Sequence, residues 1–242
     1  MLRDGFFVPT FAALNFYTVS KNTWLALIVA LGIPLLCYFI LKYKGENAVT
    51  MPHKYFYDSD TAYVKDGKTI YDTTWHRIPN FTLTNQLGQK VSLNDIDSDR
   101  IIVFDFFFTR CPSFCPKLTS NMKKLQDAYE KTDTVVRFIS FSVDPVRDSF
   151  PVLKNYADKY GVNSDVWWLL TGSKEDIYKL AQLDFKVAAY DSGQYNFVHT
   201  DKFVLVDKNR IVRGFYGGQD STEMSRLAYD IGLLMLEKKK KK

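Results

Sequence analysis

The residues able to do chemistry in this chain are few, and two of them sit close together. Cys111 and Cys115 are separated by three residues in Cys111-Pro112-Ser113-Phe114-Cys115-Pro116, directly after an apolar run and directly before an amphipathic pattern. Sulfur at the positive end of a helix has a lowered pKa, and the thiolate is the form that attacks disulfides and binds metal. Proline suits the first helical position, where its missing N–H costs nothing. Pro116 therefore predicts a helix start with Cys115 as N-cap, and Arg110 and Lys117 add positive charge on either side. The blander alternative is a structural disulfide, but so short a loop removes little chain entropy on closure.

Spacing sorts the remaining chemistries. A thioredoxin-type oxidoreductase wants two residues between its cysteines, and here there are three. A peroxidatic site would need a threonine three positions before its cysteine, whereas Thr109 is two before Cys111. With three intervening residues both sulfurs can face one point and clasp a small soft ion. Thiolates favour Cu(I), and imidazole is a compatible third ligand. The chain has three histidines. His53 and His76 lie in or beside a polar stretch and are expected to be exposed. His199 lies four residues before an apolar run at 203–206, in a loop that a thioredoxin-like fold packs against the cysteine turn. Cys111, Cys115 and His199 are thus the candidate copper ligands. Structural zinc would ask for four. A redox role for the cysteine pair stays open beside the metal site.

These side chains need a scaffold, and the pattern around them supplies one. Residues 101–108 form a near-continuous apolar run, read as a fully buried strand. From Pro116 to about residue 131 a helix would carry Leu118, Met122, Leu125 and Tyr129 on one face. Short strands at 81–83 and 90–93 flank a turn at 85–88, and further strands are expected at 135–143 and 166–170. A helix with Leu153, Tyr156, Ala157 and Tyr160 ends at Gly161. Ser173 with Asp176 resembles a capping box opening the helix of Ile177, Leu180 and Ala181. Residues 203–206 and 211–216 read as a hairpin, and Asp220 with Glu223 as the cap of a last helix. Strands alternating with helices, then a hairpin and a helix, give an α/β mixed-sheet sandwich in the order of the thioredoxin fold.

The formal charge of +5 resides in the five lysines 238–242, so the body is neutral and no basic stripe argues for nucleic acid. Residues 23–41 carry no charge and are long enough to cross a bilayer. No small-residue cleavage site follows, so an uncleaved single transmembrane helix is expected. The flanking lysines do not decide its orientation, and the first twenty residues point to a bacterium rather than a mitochondrial leader. The expected organisation is a tail at 1–22, an anchor at 23–41, a spacer at 42–75 with room for one local hairpin, a thioredoxin-like domain at 76–236, and a lysine tail at 237–242.

The stretches IPNFTLTNQLGQKVSL, DFFFTRCPSFCPKL, SVDPVRDS and FVHTDKFVLVDKNRIVRGFYGG make residues 76–236 resemble the Sco/SenC family, the copper-handling assembly factors of cytochrome c oxidase. The resemblance implies that Cys111, Cys115 and His199 bind copper, and that the cysteines also cycle between dithiol and disulfide. It implies a membrane-anchored metallochaperone for the dinuclear copper site of the oxidase, or a thiol–disulfide oxidoreductase that keeps the site's cysteines reduced. Its expected partners are oxidase subunit II or a similar copper acceptor, and a thioredoxin-like reductant. The domain would face the periplasm from a bacterial cytoplasmic membrane. Two positions depart from the family pattern: Val198 stands where many members have an acidic residue, and Arg110 where relatives are often neutral or histidine.

Overall fold

The computed structural model describes residues 21–48, 50–129, 135–191 and 197–237. Residues 1–20 of the expected N-terminal tail, the lysines after Glu237 and the end of the cysteine-bearing helix beyond Tyr129 lie outside them. The chain divides into two compact units, Met1–Thr50 and Met51–Lys242.

The first unit carries helix α1, Lys21–Ala48, of which Lys21–Tyr43 is apolar and long enough to cross a membrane. At 1.5 Å per residue those 23 residues span about 34 Å. The helix outlasts the apolar run at 23–41 because Lys42 and Lys44 end hydrophobicity without ending helix propensity. Pro34 sits inside the helix.

In the second unit, β1 (Tyr57–Lys65) and β2 (Lys68–Trp75) form an antiparallel hairpin closed by Asp66 and Gly67. Both turn residues have positive φ, 53° and 73°, the backbone that a tight two-residue hairpin turn requires. The hairpin fills most of the stretch expected to be a spacer.

The main sheet has seven strands in the order β11-β10-β5-β6-β7-β3-β4. These are β3 (Thr82–Asn85), β4 (Lys90–Ser92), β5 (Ile101–Phe107), β6 (Val136–Ser142), β7 (Trp167–Thr171), β10 (Lys202–Val206) and β11 (Val212–Gly217). The central three, β5, β6 and β7, run parallel, and β10, β11, β3 and β4 add antiparallel pairs. The crossovers are α2 (Cys115–Tyr129) between β5 and β6, and α3 (Phe150–Tyr160) between β6 and β7. Helix α4 (Lys174–Lys179) continues into one π turn, Leu180–Asp184, and α5 (Ser221–Leu236) closes the fold. A small two-stranded sheet pairs β8 (Ala189–Asp191) with β9 (Phe197–His199). This is a thioredoxin-like sandwich.

Every residue of β5 is buried, so the strand has apolar partners on both faces. Its Phe104 and Phe106 meet Phe141 and Phe185, with Phe104 and Phe185 centroids 4.7 Å apart. The alternate residue Phe107 meets Tyr156 of α3 instead. Between the two crossover helices, the Thr119 and Tyr156 hydroxyls hydrogen bond at 2.7 Å. Residues 52–56 run against β11: the Tyr55 N–H donates to the Val212 carbonyl at 2.9 Å. Buried Arg213 donates from that strand to the Pro52 carbonyl, to Asp207 and to Glu237.

Of the pair expected to cap α5, Asp220 acts as the N-cap and Glu223 does not join it. Asp220 accepts from the Thr222 N–H at 2.8 Å, while Glu223 turns to the Gly217 N–H and to Arg226. At α4, where a capping box was expected, the Ser173 hydroxyl accepts from the Asp176 N–H at 3.4 Å, which is the forward half of the box.

Candidate metal and redox centre

The two cysteines sit where β5 hands over to α2. The Cys111 N–H donates to the Phe108 carbonyl at 3.3 Å, which curls the chain back at the strand end. The Phe114 carbonyl accepts from the N–H groups of Lys117 (3.0 Å) and Leu118 (2.9 Å), so the helix is entered at Phe114. Helix α2 therefore starts at Cys115, one residue earlier than expected, with Pro116 second. Proline is tolerated there for the same reason as at the first position, because first-turn N–H groups have no intrahelical partner. Cys115 is held beneath the surface at 1% exposure and Cys111 nearer to it at 8%.

The pair is in its dithiol form, with the Cys115 thiol hydrogen bonded to the Cys111 sulfur. The Cys111 sulfur also meets the Ser113 hydroxyl at 3.5 Å. The expected acidification does not hold for Cys115. Its contact with Cys111 and then its burial push that thiol well above the ordinary cysteine range; a backbone bond from Phe108 opposes them, and the carboxylate of Asp105 adds to the rise. In the dithiol Cys115 thus keeps its proton, and Cys111 is the shallower of the two buried sulfurs. Arg110 beside it is exposed.

A loop after β6 braces this turn. The Asp144 carbonyl accepts from the Arg147 and Asp148 N–H groups at 3.1 and 2.9 Å, and the Arg147 side chain pairs with the Asp144 carboxylate. Burial lifts the Asp144 carboxyl above its ordinary value, and the bond to Arg147 works against that lift. Asp148, delivered by this turn, accepts from the Thr109 N–H at 3.0 Å, the Thr109 hydroxyl at 2.5 Å and the Ser142 hydroxyl at 2.6 Å.

His199 is the last residue of β9, paired with Ala189 of β8. Strand β10 follows and runs antiparallel to β5, with Val204 opposite Phe104 and Val206 opposite Ile102. The start of β10 therefore lies at the end of β5 from which the cysteine turn leaves, and His199 precedes it by three residues. The segment is tied to α2 through one glycine. The Gly218 N–H donates to the Asp201 carbonyl at 2.9 Å, and the Gly218 carbonyl accepts from the Asn121 amide at 2.7 Å. A Cβ on Gly218 would lie 3.0 Å from both Leu118 and Phe203 and 3.1 Å from the Asp201 carbonyl, so the approach needs glycine.

The other candidates fall elsewhere. His53 is exposed, as expected. His76 is not: it is half-buried, with Nδ1 2.8 Å from Asp58 and Nε2 3.4 Å from Asp184. It sits where the end of the β1–β2 hairpin meets the π turn, a contact distant in sequence. Cys37 lies in α1. Among the described residues no group of three or more His, Cys, Asp and Glu side chains is arranged to hold a metal. Asp105, Asn121 and Gly218 were missed by motif reasoning. For Asp105 the signal was present as a carboxylate inside a fully apolar run.

The family model described as SCO1/SenC matches residues 72–231. A SCO1 protein homolog of Bacillus subtilis (strain 168) is 34% identical over 167 residues, covering 68% of this chain and 86% of the relative. The solved structure of BsSco, a Sco family member of the cytochrome c oxidase assembly proteins in which a disulfide switch was identified, has 32% identity and a TM-score of 0.59. It is covered over 96% of its length by 68% of this chain. Bradyrhizobium japonicum ScoI, solved with copper bound, has 25% identity and a TM-score of 0.53, over 64% of this chain and 98% of its own.

Proposed function

The chain belongs to the SCO1/SenC family, and on that premise we propose that it is a membrane-anchored copper carrier for assembly of the dinuclear copper site of cytochrome c oxidase. Copper is its cargo. Cu(I) is held by the Cys111 and Cys115 thiolates and by the His199 imidazole, and leaves by stepwise exchange onto the cysteines of an acceptor such as oxidase subunit II. The observation that carries this reading is the contact between the two sulfurs at the start of α2. Soft ligands already converged on one point select a soft monovalent ion, and loading needs only the loss of thiol protons. Two thiolates with Cu(I) sum to a charge of −1, and Arg110, at the exposed rim, offsets it. Helix α1 supplies the anchor, and the domain faces the periplasm.

The site residues predict a clear separation. His199→Ala should weaken Cu(I) binding, measured against a competing chelator, while both cysteines remain reactive. If that variant holds Cu(I) as tightly as the parent, the three-ligand site is wrong.

A second reading draws on the dithiol itself. As a thiol–disulfide reductase, the Cys111 thiolate attacks a disulfide of the copper acceptor, forms a mixed disulfide and expels one acceptor thiolate. Cys115 then loses its proton and closes the Cys111–Cys115 disulfide, releasing the second acceptor thiol. Two electrons pass to the acceptor, and a thioredoxin-like reductant restores the dithiol. The Cys115 proton, held against the Cys111 sulfur, favours this order of attack. Under it, His199→Ala leaves acceptor reduction intact, and replacing either cysteine with serine abolishes it.

A further inference from the structure

We propose that the groove between α2 and α5 docks the acceptor protein through an extended acidic segment of that protein. The inference deepens the functional reading above, from which it takes only the existence of an acceptor. The groove has a volume of about 470 Å³, with Lys117, Lys124 and Leu125 on its α2 wall and Met224, Ser225 and Ala228 on its α5 wall. Hydrogen bonds tie the walls together at two levels. The Asn121 amide donates to the Gly218 carbonyl at 2.7 Å, and the Tyr129 hydroxyl donates to the Ala228 carbonyl at 3.0 Å. The walls are therefore set before a ligand arrives, which lowers the cost of binding.

Charge selects the occupant. No carboxylate lines the groove, and both lysines are exposed. Lys124 bonds to the neutral Asn121 amide oxygen at 3.0 Å, and among the described residues neither lysine has an acidic partner. Outside the groove the same helices neutralise their cations: Lys123 pairs with Asp127, and Arg226 with Glu223. Lys117 and Lys124 are seven residues apart on α2, about 10.5 Å at 1.5 Å per residue. In an extended polyproline II segment, residues three apart share one side and lie about 9.3 Å apart, so two such carboxylates meet both lysines. A residue between them projects from a second side, toward the apolar surface of Leu125, Met224 and Ala228. Lys117 stands two residues after Cys115 in the first turn of α2, so a docked segment begins beside the sulfurs. A carrier that must release its acceptor is suited by charge, which speeds encounter more than it tightens the complex.

The test uses the full reduced chain in nonionic detergent micelles at low salt. The ligand is a fluorescent peptide with two glutamates three residues apart, a leucine between them and a disulfide-bonded cysteine pair beyond; its twin carries glutamines instead. Binding is read by anisotropy with serines in place of the peptide cysteines. Reduction is read as the rate at which two electrons pass from the Cys111–Cys115 dithiol to the peptide disulfide. The parent should favour the glutamate peptide by about tenfold or more in both readouts. Lys117→Glu with Lys124→Glu should abolish that preference, and a lysine version of the peptide should then bind. Comparing the two peptides cancels any effect of the lysines on the sulfurs themselves. Ser225→Trp, which fills the groove without changing charge, should also block binding. Lys65→Glu with Lys68→Glu makes the same charge change at the exposed hairpin tip and should keep the preference. The proposal is overturned if the parent treats both peptides alike, if the preference survives the groove substitutions, or if the hairpin substitutions remove it equally. Should the double variant fail to fold, Lys117→Glu alone decides: an undiminished preference refutes the proposal, and a reduced one supports it. A parent that prefers the glutamate peptide in binding but reduces neither peptide sinks the reductase reading and leaves the docking surface standing. Cu(I) capture is measured apart from either peptide, so its failure is not mistaken for failure of the groove.

Discussion

Replacing Gly218 with alanine tests whether the turn before α5 locks the His199 segment to α2. The added methyl would lie 3.0 Å from Leu118 Cγ, 3.0 Å from Phe203 Cε2 and 3.1 Å from the Asp201 carbonyl. None of these can move aside easily. Leu118 and Phe203 are fully buried, and the Asp201 carbonyl is backbone that accepts the Gly218 N–H itself. Overpacking of this kind costs about 1–3 kcal/mol. Restricting the unfolded chain returns about 0.4–1 kcal/mol, because this glycine is not in the left-handed region where alanine would be strained. The net expectation is a loss of about 1–2 kcal/mol, or a Tm lower by about 2–8 °C for a unit of this size. Urea unfolding of the soluble unit followed by far-ultraviolet circular dichroism reads the loss directly. Gly232→Ala is the internal control of opposite sign. It lies within α5 with nothing within 4 Å of the new methyl, so helix propensity alone should stabilise by about 0.5–1 kcal/mol. Cu(I) affinity should fall with Gly218→Ala and hold with Gly232→Ala, since only the first displaces Asp201, two residues from His199. If the two variants change stability in the same direction, the close approach at Gly218 is not what holds this corner.

Arg213→Leu should destabilise the domain by about 3–5 kcal/mol in the same urea assay, because it leaves the buried Asp207 carboxylate without its cation. A loss below 1 kcal/mol would mean that Asp207 finds another partner. Alkaline stability should depend on Tyr156, whose phenol is pushed above its ordinary pKa of 10.0, chiefly by burial. Its contribution is complete below pH 10 and is lost as pH rises toward the folded value, since the unfolded chain releases that proton first. Tyr156→Phe should flatten the fall in stability above pH 10, and an unchanged slope would exclude this group as the cause. Apparent Cu(I) affinity should rise with pH by about tenfold per unit for each thiol proton displaced, because Cys115 retains its proton in the dithiol. A pH-independent affinity between pH 6 and 8 would show that the pair is already ionised.

The scaffold was legible because its signals are local. The apolar run at 101–108 has no polar alternation, so a strand covered on both faces was its natural outcome, and Gly161 marked the end of α3 with φ of 67°. Helix edges were less legible. The proline at 116 suits either of the first two positions, so only the Phe114 carbonyl bonds decide the register. The bridge from His76 to Asp184 depends on a pairing across more than a hundred residues, which no short motif encodes. At the site the cysteine spacing was plain, but the sign of the Cys115 shift was not. A helix start acidifies a thiol in water, whereas here the neighbouring sulfur and burial raise it, against the backbone bond from Phe108. Asp148 stood in the SVDPVRDS stretch without an assigned role, because its partners Thr109 and Ser142 approach only once β5 and β6 lie side by side.

The most direct measurement is X-ray absorption spectroscopy of the reduced chain loaded anaerobically with one equivalent of Cu(I). The account predicts a three-coordinate ion with two sulfur neighbours and one imidazole nitrogen, the nitrogen vanishing in His199→Ala. A first shell of sulfur alone in the parent, or copper bound no more tightly than by a generic exposed dithiol, would contradict it.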